Sequence, residues 1–560
     1  MDFKRGRQKN STADTWYYRA LDRGIFYLMA ALVLVFVLWP LLCIAGKSIQ
    51  ADGGISFRHY HSLFTDNFKL LKNSFFVAIP AALLSTLIGV AVAFRVALSK
   101  GRIRSVLMAI LLMTMVSPPF ISSLVYIQLF GRRGWITHGL LGLMISPYNQ
   151  WGIIAMQSLH FASLNAIFMI GLLNNLDHNM IYASRDLGAS PTETLKGVVF
   201  PLMLPGAGVC FILSLIRSIS DFGTPIVIGG RFNTLAAAIY MKLIGYAQLE
   251  EASAMNMLLL IPAVIVFVLF RWLMKKSDGM ISTGNAAKTS GSLPMKIRGP
   301  ISWGINLISF VFYGMMVMQY LCIFLTGFLK SKRGVYYFTL ENFNSLFAYN
   351  IDSLVRSVQY SLLVAVFGTL FAMLFAYYLE RRKVRFKGFY DFVSTMPYLL
   401  PGTCFGIGYI LAFNKGPLRL TGTAAIIVLN MIFKQLPTIT KLCGTSLAQM
   451  NARMEDAARD LGAGNFFVTK DIVLPNLTQT FVTGFIYNFT SAMTTAGAIM
   501  FLISSRHKVA VYTLFDAINS GEYAVASLIS TMIIVITLLV TGAVSAVMLR
   551  KPGNRSRTAK

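Results

Sequence analysis

The sequence has few charged residues and many apolar ones. Only 13% of its 560 residues are charged, 56% are apolar, and the mean hydropathy is +0.63. This composition excludes an ordinary soluble domain and indicates an integral membrane protein. Acidic residues are especially scarce, with 22 against 50 Lys and Arg, which gives a net charge of +28. Such an excess suits either nucleic acid or an acidic membrane surface.

Residues typical of catalytic and metal sites are also scarce. The five cysteines form no C-x-x-C pair, and the six histidines form no H-E-x-x-H motif, so neither a disulfide framework nor a metal site is expected. No G-x-x-x-x-G-K-[ST] phosphate loop occurs, so the chain does not hydrolyse ATP by that route. No His, Asp and Glu residues have a spacing that suits an intramembrane enzyme. The prediction is therefore a protein that is not an enzyme and binds no cofactor itself.

Long apolar runs recur along the whole chain. Crossing about 30 Å of hydrocarbon takes roughly 20 helical residues, and twelve runs come near or exceed that length. The sequence thus predicts an all-α polytopic membrane protein with about 12 transmembrane helices. The predicted helices are 26–46, 75–97, 106–130, 152–174, 200–224, 253–274, 303–327, 360–379, 389–413, 424–446, 476–502 and 526–549.

The basic residues follow this topology. They cluster in alternate loops, which all lie on the cytoplasmic side if both termini are cytoplasmic, as the positive-inside rule requires. This distribution favours contact with acidic membrane lipid over nucleic acid as the reason for the basic excess. The clusters are Lys4, Arg5, Arg7 and Lys9; Lys100, Arg102 and Arg104; Arg271, Lys275 and Lys276; Arg381, Arg382, Lys383, Arg385 and Lys387; and Arg550, Lys551, Arg555 and Arg557.

Two polar segments reveal an internal repeat. "YASRDLGASPTETLKGVVFPLMLPG" begins at Tyr182, and "DAARDLGAGNFFVTKDIVLPNLTQT" begins at Asp456, an offset of 274 residues that continues without a gap through the end of each half. The repeat predicts a first six-helix half at 1–276, a Gly/Ser-rich cytoplasmic linker at 277–299 and a second half at 300–560. Six spans per half make the two repeats parallel, with a pathway expected between them.

Each repeated segment is predicted to form a short cytoplasmic helix between the fourth and fifth spans of its half. Its start is a good helix former, the glycine suits a left-handed end to that helix, and the proline suits entry into the next span. The glycine and the proline are thirteen residues apart in both copies. The residues of these loops are Tyr182, Ala183, Arg185, Asp186, Gly188 and Pro201, and Asp456, Ala457, Arg459, Asp460, Gly462 and Pro475.

This pattern resembles the E-A-A signature loop of the membrane subunits of ABC importers. The resemblance implies that each loop is a coupling helix that docks on a separate ATPase, with two ATPase copies and ATP bound by that partner. It also implies an extracytoplasmic solute-binding protein and a place in the bacterial inner membrane. The chain departs from the pattern at the glutamate position, which is Tyr182 in one copy and Asp456 in the other, and at Ser184. These departures leave open whether the two loops contact the ATPase equivalently.

The motifs "SDFGTP" (220–225) and "AGAIMFLIS" (496–504) resemble the fused permeases for ferric iron, which have relatives for phosphonates and sugar phosphates. The small solute therefore remains open, with ferric iron as the first choice. A secondary transporter of two six-helix halves would share the size and the parallel repeat. It would not need the repeated cytoplasmic helix.

Polar residues within the predicted spans are candidates for a substrate pathway, because ionisable groups at membrane depth are costly. A structural role inside the bundle is the alternative for each of them. Cationic members would favour an anionic solute, and the proline clusters at 117–120 and 397–402 are expected to interrupt the third and ninth helices beside a cavity. The candidates are His160, Arg217 and Asp221 in the first half, and Lys434, Ser491 and Thr495 at the 274-residue offset in the second.

Overall fold

The structure is a computed structural model that describes residues 16–548 with short gaps. The gaps are 52–53, 66, 119, 133, 145, 282–292, 294, 296, 298, 333–334, 350 and 383. The basic residues predicted at both termini and most of the predicted linker lie outside the described residues.

The first half is almost entirely helical. Short π-helical turns at Leu34–Leu38, Trp135–Leu140, Leu195–Val199 and Met241–Gly245 adjoin its α-helices. Its elements are α1 (Trp16–Val33), α2 (Trp39–Ser48), β1 (Gln50–Ala51), β2 (Gly54–Ile55), α3 (Arg58–Thr65), α4 (Phe68–Leu98), α5 (Gly101–Val116), α6 (Ile121–Phe130), α7 (Gln150–Asn174), α8 (His178–Asp186), α9 (Pro191–Thr194), α10 (Phe200–Ser220), α11 (Gly223–Ile228), α12 (Leu235–Tyr240) and α13 (Leu249–Ile281).

The second half repeats this order. It has π-helical turns at Val364–Gly368 and Val468–Val473 and 3₁₀ turns at Ile499–Phe501 and Ser505–His507. Its elements are α14 (Pro300–Gly327), β3 (Leu329–Lys332), β4 (Val335–Phe338), α15 (Glu341–Tyr349), α16 (Ile351–Leu363), α17 (Thr369–Arg381), α18 (Lys387–Leu399), α19 (Gly402–Phe413), α20 (Ala424–Gln449), α21 (Arg453–Asp460), α22 (Asn465–Phe467), α23 (Leu474–Asn476), α24 (Thr478–Thr494), α25 (Ala510–Asn519) and α26 (Tyr523–Met548). The two small sheets are antiparallel hairpins, β1 with β2 and β3 with β4.

Eight helices in the described part of the chain are long and apolar enough to span a membrane, which confirms an all-α polytopic membrane protein. Two further spans are broken. The third predicted helix bends by 105° between α5 and α6, and the ninth bends by 112° between α18 and α19. Both bends fall at the predicted proline clusters, because proline removes a backbone donor and clashes with the preceding turn.

The sixth and eleventh of the twelve predicted spans are not among these ten in the described part of the chain. The sixth lies within α13. The eleventh, predicted at 476–502, was too long, because α24 ends at Thr494 and an irregular segment follows. Close packing explains this end: the Gly497 backbone lies so near Gly402 that a Cβ added at Gly402 would come within 2.9 Å of it.

The two halves interlock through their first helices. α2 packs against α13 of its own half and against α19 of the other, and α14 packs against α26 and α4 in the same manner. The Phe36 ring stacks on Phe433 at 5.0 Å between centroids, and the Tyr409 hydroxyl donates to the Phe36 carbonyl at 2.8 Å. One buried apolar core therefore contains residues of both halves.

The described residues at the end of the predicted linker are packed against the first half. The Leu293 amide donates to the Ala97 carbonyl oxygen at 2.9 Å. Leu293, Met295 and Ile297 are buried in the cluster that also contains Ile181 of the first repeated loop. Alternate residues of this segment thus face an apolar surface beneath that loop.

Candidate coupling loops and membrane pathway

The first repeated loop contains a helix with defined ends. The Asp177 side chain caps the start of α8 by accepting from the Asn179 amide at 2.9 Å. At the other end Gly188 has φ +86°, its amide donates to the Arg185 carbonyl, and the Ala189 amide donates to the Ser184 carbonyl. This pair of bonds is a Schellman motif, which requires the left-handed backbone that glycine adopts at little cost.

The second repeated loop has the same end. Gly462 has φ +88°, its amide donates to the Arg459 carbonyl, and the Ala463 amide donates to the Ala458 carbonyl. The left-handed glycine predicted from the sequence is therefore present in both loops. Pro201 lies in the first turn of α10, and Pro475 lies in α23 just before α24.

The two loops differ in how they are held against the membrane helices. Glu455 is only 3% exposed and pairs with Arg459 at 3.1 Å and with Arg381, at the end of α17, at 3.5 Å. At the 274-residue offset the first loop has Ile181, which is buried among apolar side chains. The second loop thus has a buried carboxylate paired with two partly exposed arginines where the first loop has an apolar contact.

The turn after the helix also differs between the loops. In the first loop Ser190 and Glu193 form a capping box: the Glu193 carboxylate accepts from the Ser190 amide at 2.7 Å, and the Ser190 hydroxyl accepts from the Glu193 amide at 3.2 Å. The hydrogen bond from the Ser190 amide, and then that from its hydroxyl, lowers the pKa of Glu193. In the second loop Gly464 stands at this N-cap and offers no side chain.

Asp221 of the predicted pathway caps a helix. Its carboxylate accepts from the amides of Gly223 at 3.0 Å and Thr224 at 3.2 Å, at the start of α11. Its other oxygen accepts from the Gln157 amide group at 2.9 Å. Asp221 therefore has a structural role at the end of α10, the end far from the repeated loops.

His160 and Arg217 lie near this carboxylate. Both Asp221 and Arg217 are close enough to His160 for their charges to act on it. Arg217 also hydrogen-bonds to Tyr398, which lies in the bend of the other half. The structure thus brings the three first-half candidates together and links them to the second half.

Lys434 stabilises the bend between α18 and α19. Pro401 has no amide hydrogen, so the carbonyl oxygen of Pro397, four residues earlier, loses its helical donor. The Lys434 ammonium group donates to that oxygen at 2.9 Å and to the Leu400 carbonyl at 2.6 Å. It also lies 5.5 Å from the centre of the Phe405 ring, within the range of a cation–π interaction.

The remaining candidates lie at the end of α24. The Thr495 hydroxyl donates to the Ser491 carbonyl at 2.6 Å, within its own helix. Both side chains are half-buried. Thr495 therefore does not reproduce the capping role of Asp221, its partner at the 274-residue offset.

An aromatic cluster lies beyond the ends of α10 and α24. The Phe222 ring stacks on Tyr240 with a centroid distance of 5.0 Å, and Phe120 contacts Phe515 at 4.8 Å. Phe501 lies 6.1 Å from Phe222 and 5.8 Å from Tyr240. Since Phe501 and Phe515 belong to the second half and the other three to the first, the cluster joins the halves.

A separate cavity of about 770 Å³ opens between α6 of the first half and the start of α26 of the second. None of the predicted pathway residues lines it. Its charged and polar lining includes Gln128, Arg132, Lys330, Glu341 and Glu522.

Comparison with protein families identifies the chain. The family described as "binding-protein-dependent transport system inner membrane component" matches residues 85–278 and again 345–550, once in each half. The chain belongs to this family. Each match contains one of the two repeated loops, and the fused two-repeat permease expected from the resemblance is confirmed.

The permease is similar to named transport proteins. It is 28% identical to "Ferric transport system permease protein FbpB" of Actinobacillus pleuropneumoniae, over 84% of this chain and 70% of that protein. It is 27% identical to "Putative ferric transport system permease protein FbpB 1" of Haemophilus influenzae, over 85% and 77% of the two chains. A shorter match, 26% identical over 36% of this chain and 77% of the other, is to "Putative 2-aminoethylphosphonate transport system permease protein PhnV" of Salmonella typhimurium.

Several contacts at the candidate sites of the permease are absent from the sequence prediction. Neither Glu455, one residue before the motif position at Asp456, nor Tyr398 is among the site residues predicted from the sequence. Glu455 and Arg459 are four residues apart, a spacing that brings side chains together on a helix, so part of this ion pair was readable from the sequence. Nothing local in the sequence indicates the contact between Arg217 and Tyr398.

Proposed function

We propose that the permease is the membrane subunit of an ATP-driven importer and that it carries ferric iron received from an extracytoplasmic binding protein. The paired loops carry this proposal, because two helices with the same Schellman end occur at equivalent places in two family repeats. The names of the two ferric permeases that match more than four-fifths of the chain favour iron as the solute.

In this proposal α8 and α21 are the coupling helices and face the cytoplasm, as do both termini. Each helix docks on one copy of a separate ATPase, which binds the ATP. Closure of the two ATPase copies then displaces α10 and α24, the spans that directly follow the loops. The left-handed ends at Gly188 and Gly462 hold each helix at a fixed angle to its span.

The proposed pathway runs between the halves along α10, α24 and the bend at Pro397. Arg217 and Lys434 place positive charge beside this bend, so we propose that the solute passes as an anion or as an anionic complex of the metal. Asp221 and His160 complete the first-half group, and Ser491 and Thr495 occupy the matching position in the second half.

A phosphonate or sugar phosphate is the second candidate solute. The two cations of the pathway and the match to the aminoethylphosphonate permease support it. The same machinery would serve either solute, since the binding protein makes the first selection.

The test is transport by the reconstituted system. The permease is placed in liposomes with its ATPase and binding protein, and uptake of radioactive iron and of 2-aminoethylphosphonate is measured with and without ATP. We expect uptake of iron that depends on both ATP and the binding protein. Uptake of 2-aminoethylphosphonate without uptake of iron would identify the phosphonate as the solute. Uptake without any ATPase would refute the importer proposal.

A further inference from the structure

The cavity of about 770 Å³ lies between the two halves, at the end of the spans that is far from the repeated loops. Tyr148, on its first wall, directly precedes α7, and α7 must be crossed before the chain reaches α8. Tyr523, on its second wall, begins α26, and only the short α25 separates it from the far end of α24. The cavity is therefore at one boundary of the membrane-spanning region.

The two walls of the cavity carry opposite charges. The first half contributes Arg132, just beyond the end of α6, and the second half contributes Lys330, Glu341 and Glu522. Lys330 and Glu341 pair with each other at 2.6 Å, so Glu522 leaves the second wall with a net negative charge. Arg132 and Glu522 are exposed, and in the described part of the chain neither belongs to an ion pair. A ligand between the walls would meet a cation on one side and a carboxylate on the other.

The aromatic lining suits the boundary between hydrocarbon and headgroups. Trp135, Tyr148 and Tyr523 line the cavity, and both residue types are enriched where a membrane meets water. The segment that begins at Trp135 also exposes Leu140 and Met144, each by 77%. One segment thus supplies part of a charged cavity and an apolar surface. A molecule with a polar headgroup and acyl chains needs both.

We propose that the cavity binds the headgroup of a zwitterionic phospholipid, with the phosphate at Arg132 and the ammonium group at Glu522. Ethanolamine phosphate carries these two charges on one short chain. Arginine binds phosphate through two parallel hydrogen bonds, and a carboxylate accepts a charge-assisted hydrogen bond from an ammonium group. A headgroup with a phosphate and no ammonium group, such as that of phosphatidylglycerol, would leave Glu522 facing an anion.

The site goes beyond the proposed function and is separate from the proposed pathway, because none of the pathway residues lines the cavity. Arg132 belongs to the first half and Glu522 to the second, so a bound headgroup connects the halves. It binds most tightly when the separation of the walls lets it reach both residues. A ligand shifts a protein toward the arrangement that it prefers, so this lipid disfavours movement of the two walls apart.

The first experiment measures lipid binding. The purified full-length permease in detergent is mixed with equal amounts of phosphatidylethanolamine and phosphatidylglycerol that have the same acyl chains, and native mass spectrometry measures how much of each is retained. We expect phosphatidylethanolamine to be preferred. Arg132→Gln and Glu522→Gln should each weaken its retention about threefold, and both together about tenfold, because each removes one exposed charge contact. Equal retention of the two lipids by the unaltered permease, or unchanged retention by the double variant, would overturn the proposal.

Arg419→Gln and Asp516→Asn are the matched controls. Both residues are exposed at the same end of the spans, and neither lines the cavity. These variants should retain phosphatidylethanolamine as the unaltered permease does. An equal loss in the controls would attribute the effect to surface charge in general and refute the site. Arg132 and Glu522 are exposed as well, so their variants should fold normally, which thermal unfolding checks.

The second experiment distinguishes the sources of the headgroup chemistry. Soluble O-phosphoethanolamine is added in excess to the permease with its bound lipid. Retention of the lipid supports the membrane as the source. Binding of the soluble compound by a permease that retains no phosphatidylethanolamine would assign the cavity to a free zwitterion and overturn the lipid proposal.

The extracytoplasmic binding protein is the other candidate occupant of this face. Its affinity for the unaltered permease and for the double variant is measured in nanodiscs that contain phosphatidylethanolamine. We expect lipid retention to change more than this affinity. Loss of affinity for the binding protein with unchanged lipid retention would identify a protein interface and refute the lipid site.

Discussion

Lys434 donates a hydrogen bond to the carbonyl oxygen of Pro397, which has no helical donor because Pro401 lacks an amide hydrogen. Pro397 is buried at the bend between α18 and α19, and Lys434, with a half-buried side chain, reaches it from α20. A candidate pathway residue is thus also the group that satisfies the broken backbone. Its replacement should affect both stability and transport.

Lys434→Met should destabilise the permease by about 1–3 kcal/mol, because two carbonyl oxygens in a low-dielectric region lose their charged donor. Thermal unfolding in detergent measures the change, and uptake in liposomes measures the transport role. Lys441→Met is the matched control, since Lys441 lies on the same helix and forms an exposed pair with Asp391. Exposed pairs contribute about 0–1 kcal/mol. Unchanged uptake by Lys434→Met, with normal ATPase activity, would exclude Lys434 from the pathway.

Gly188→Asp and Gly462→Asp should weaken ATPase docking and abolish most ATP-driven uptake. A side chain at φ +86° or +88° costs about 1–2 kcal/mol in the left-handed region, so the Schellman turn should loosen. Membrane insertion should be normal, because an added Cβ would meet no atom within 4 Å at either site. Gly197→Ala tests the same loop without a strained φ. Normal uptake in both aspartate variants would show that the loops are not the coupling elements.

Glu455→Gln should loosen the second loop and leave the first unchanged. The substitution removes the charge that pairs with Arg381 and Arg459, and a hydrogen bond to a charged group contributes about 1.5–3 kcal/mol. Hydrogen exchange of residues 453–463 should increase, while that of residues 178–189 stays constant. Asp456→Asn removes an exposed carboxylate from the same helix and provides the comparison. Equal exchange in both variants would contradict the anchoring role of Glu455.

The capping box predicts a pH effect confined to the first loop. The lowered pKa of Glu193 means that its bond to Ser190 is complete above the ordinary glutamate pKa and is lost as pH falls through the lowered value. The protection of the backbone amides of residues 190–196, measured against their intrinsic exchange rates, should therefore fall in acid. Glu193→Gln should remove that dependence. The corresponding turn after Gly464 should not show it. An identical acid response in the two turns would argue against the capping box as its cause.

The features that the sequence predicts correctly are those that depend on local residue patterns. The left-handed ends at Gly188 and Gly462 follow from a glycine after a short helical run, and the breaks near Pro118 and Pro397 follow from proline itself. The partners of Lys434 depend on the approach of two helices that are distant in sequence. The shortened α24 depends on the close contact between Gly497 and Gly402, which no local pattern reveals.

The exchange of first helices between the halves has a consequence for motion. α2 lies against α19 and α14 lies against α4, so the first long helices of each half pack against helices of the other half. Rotation of either half therefore carries along a helix that is covalently part of its neighbour. Cleavage of the chain within residues 282–292 should leave two fragments that stay associated through these helix contacts. The linker therefore need not transmit the force that rotates one half relative to the other.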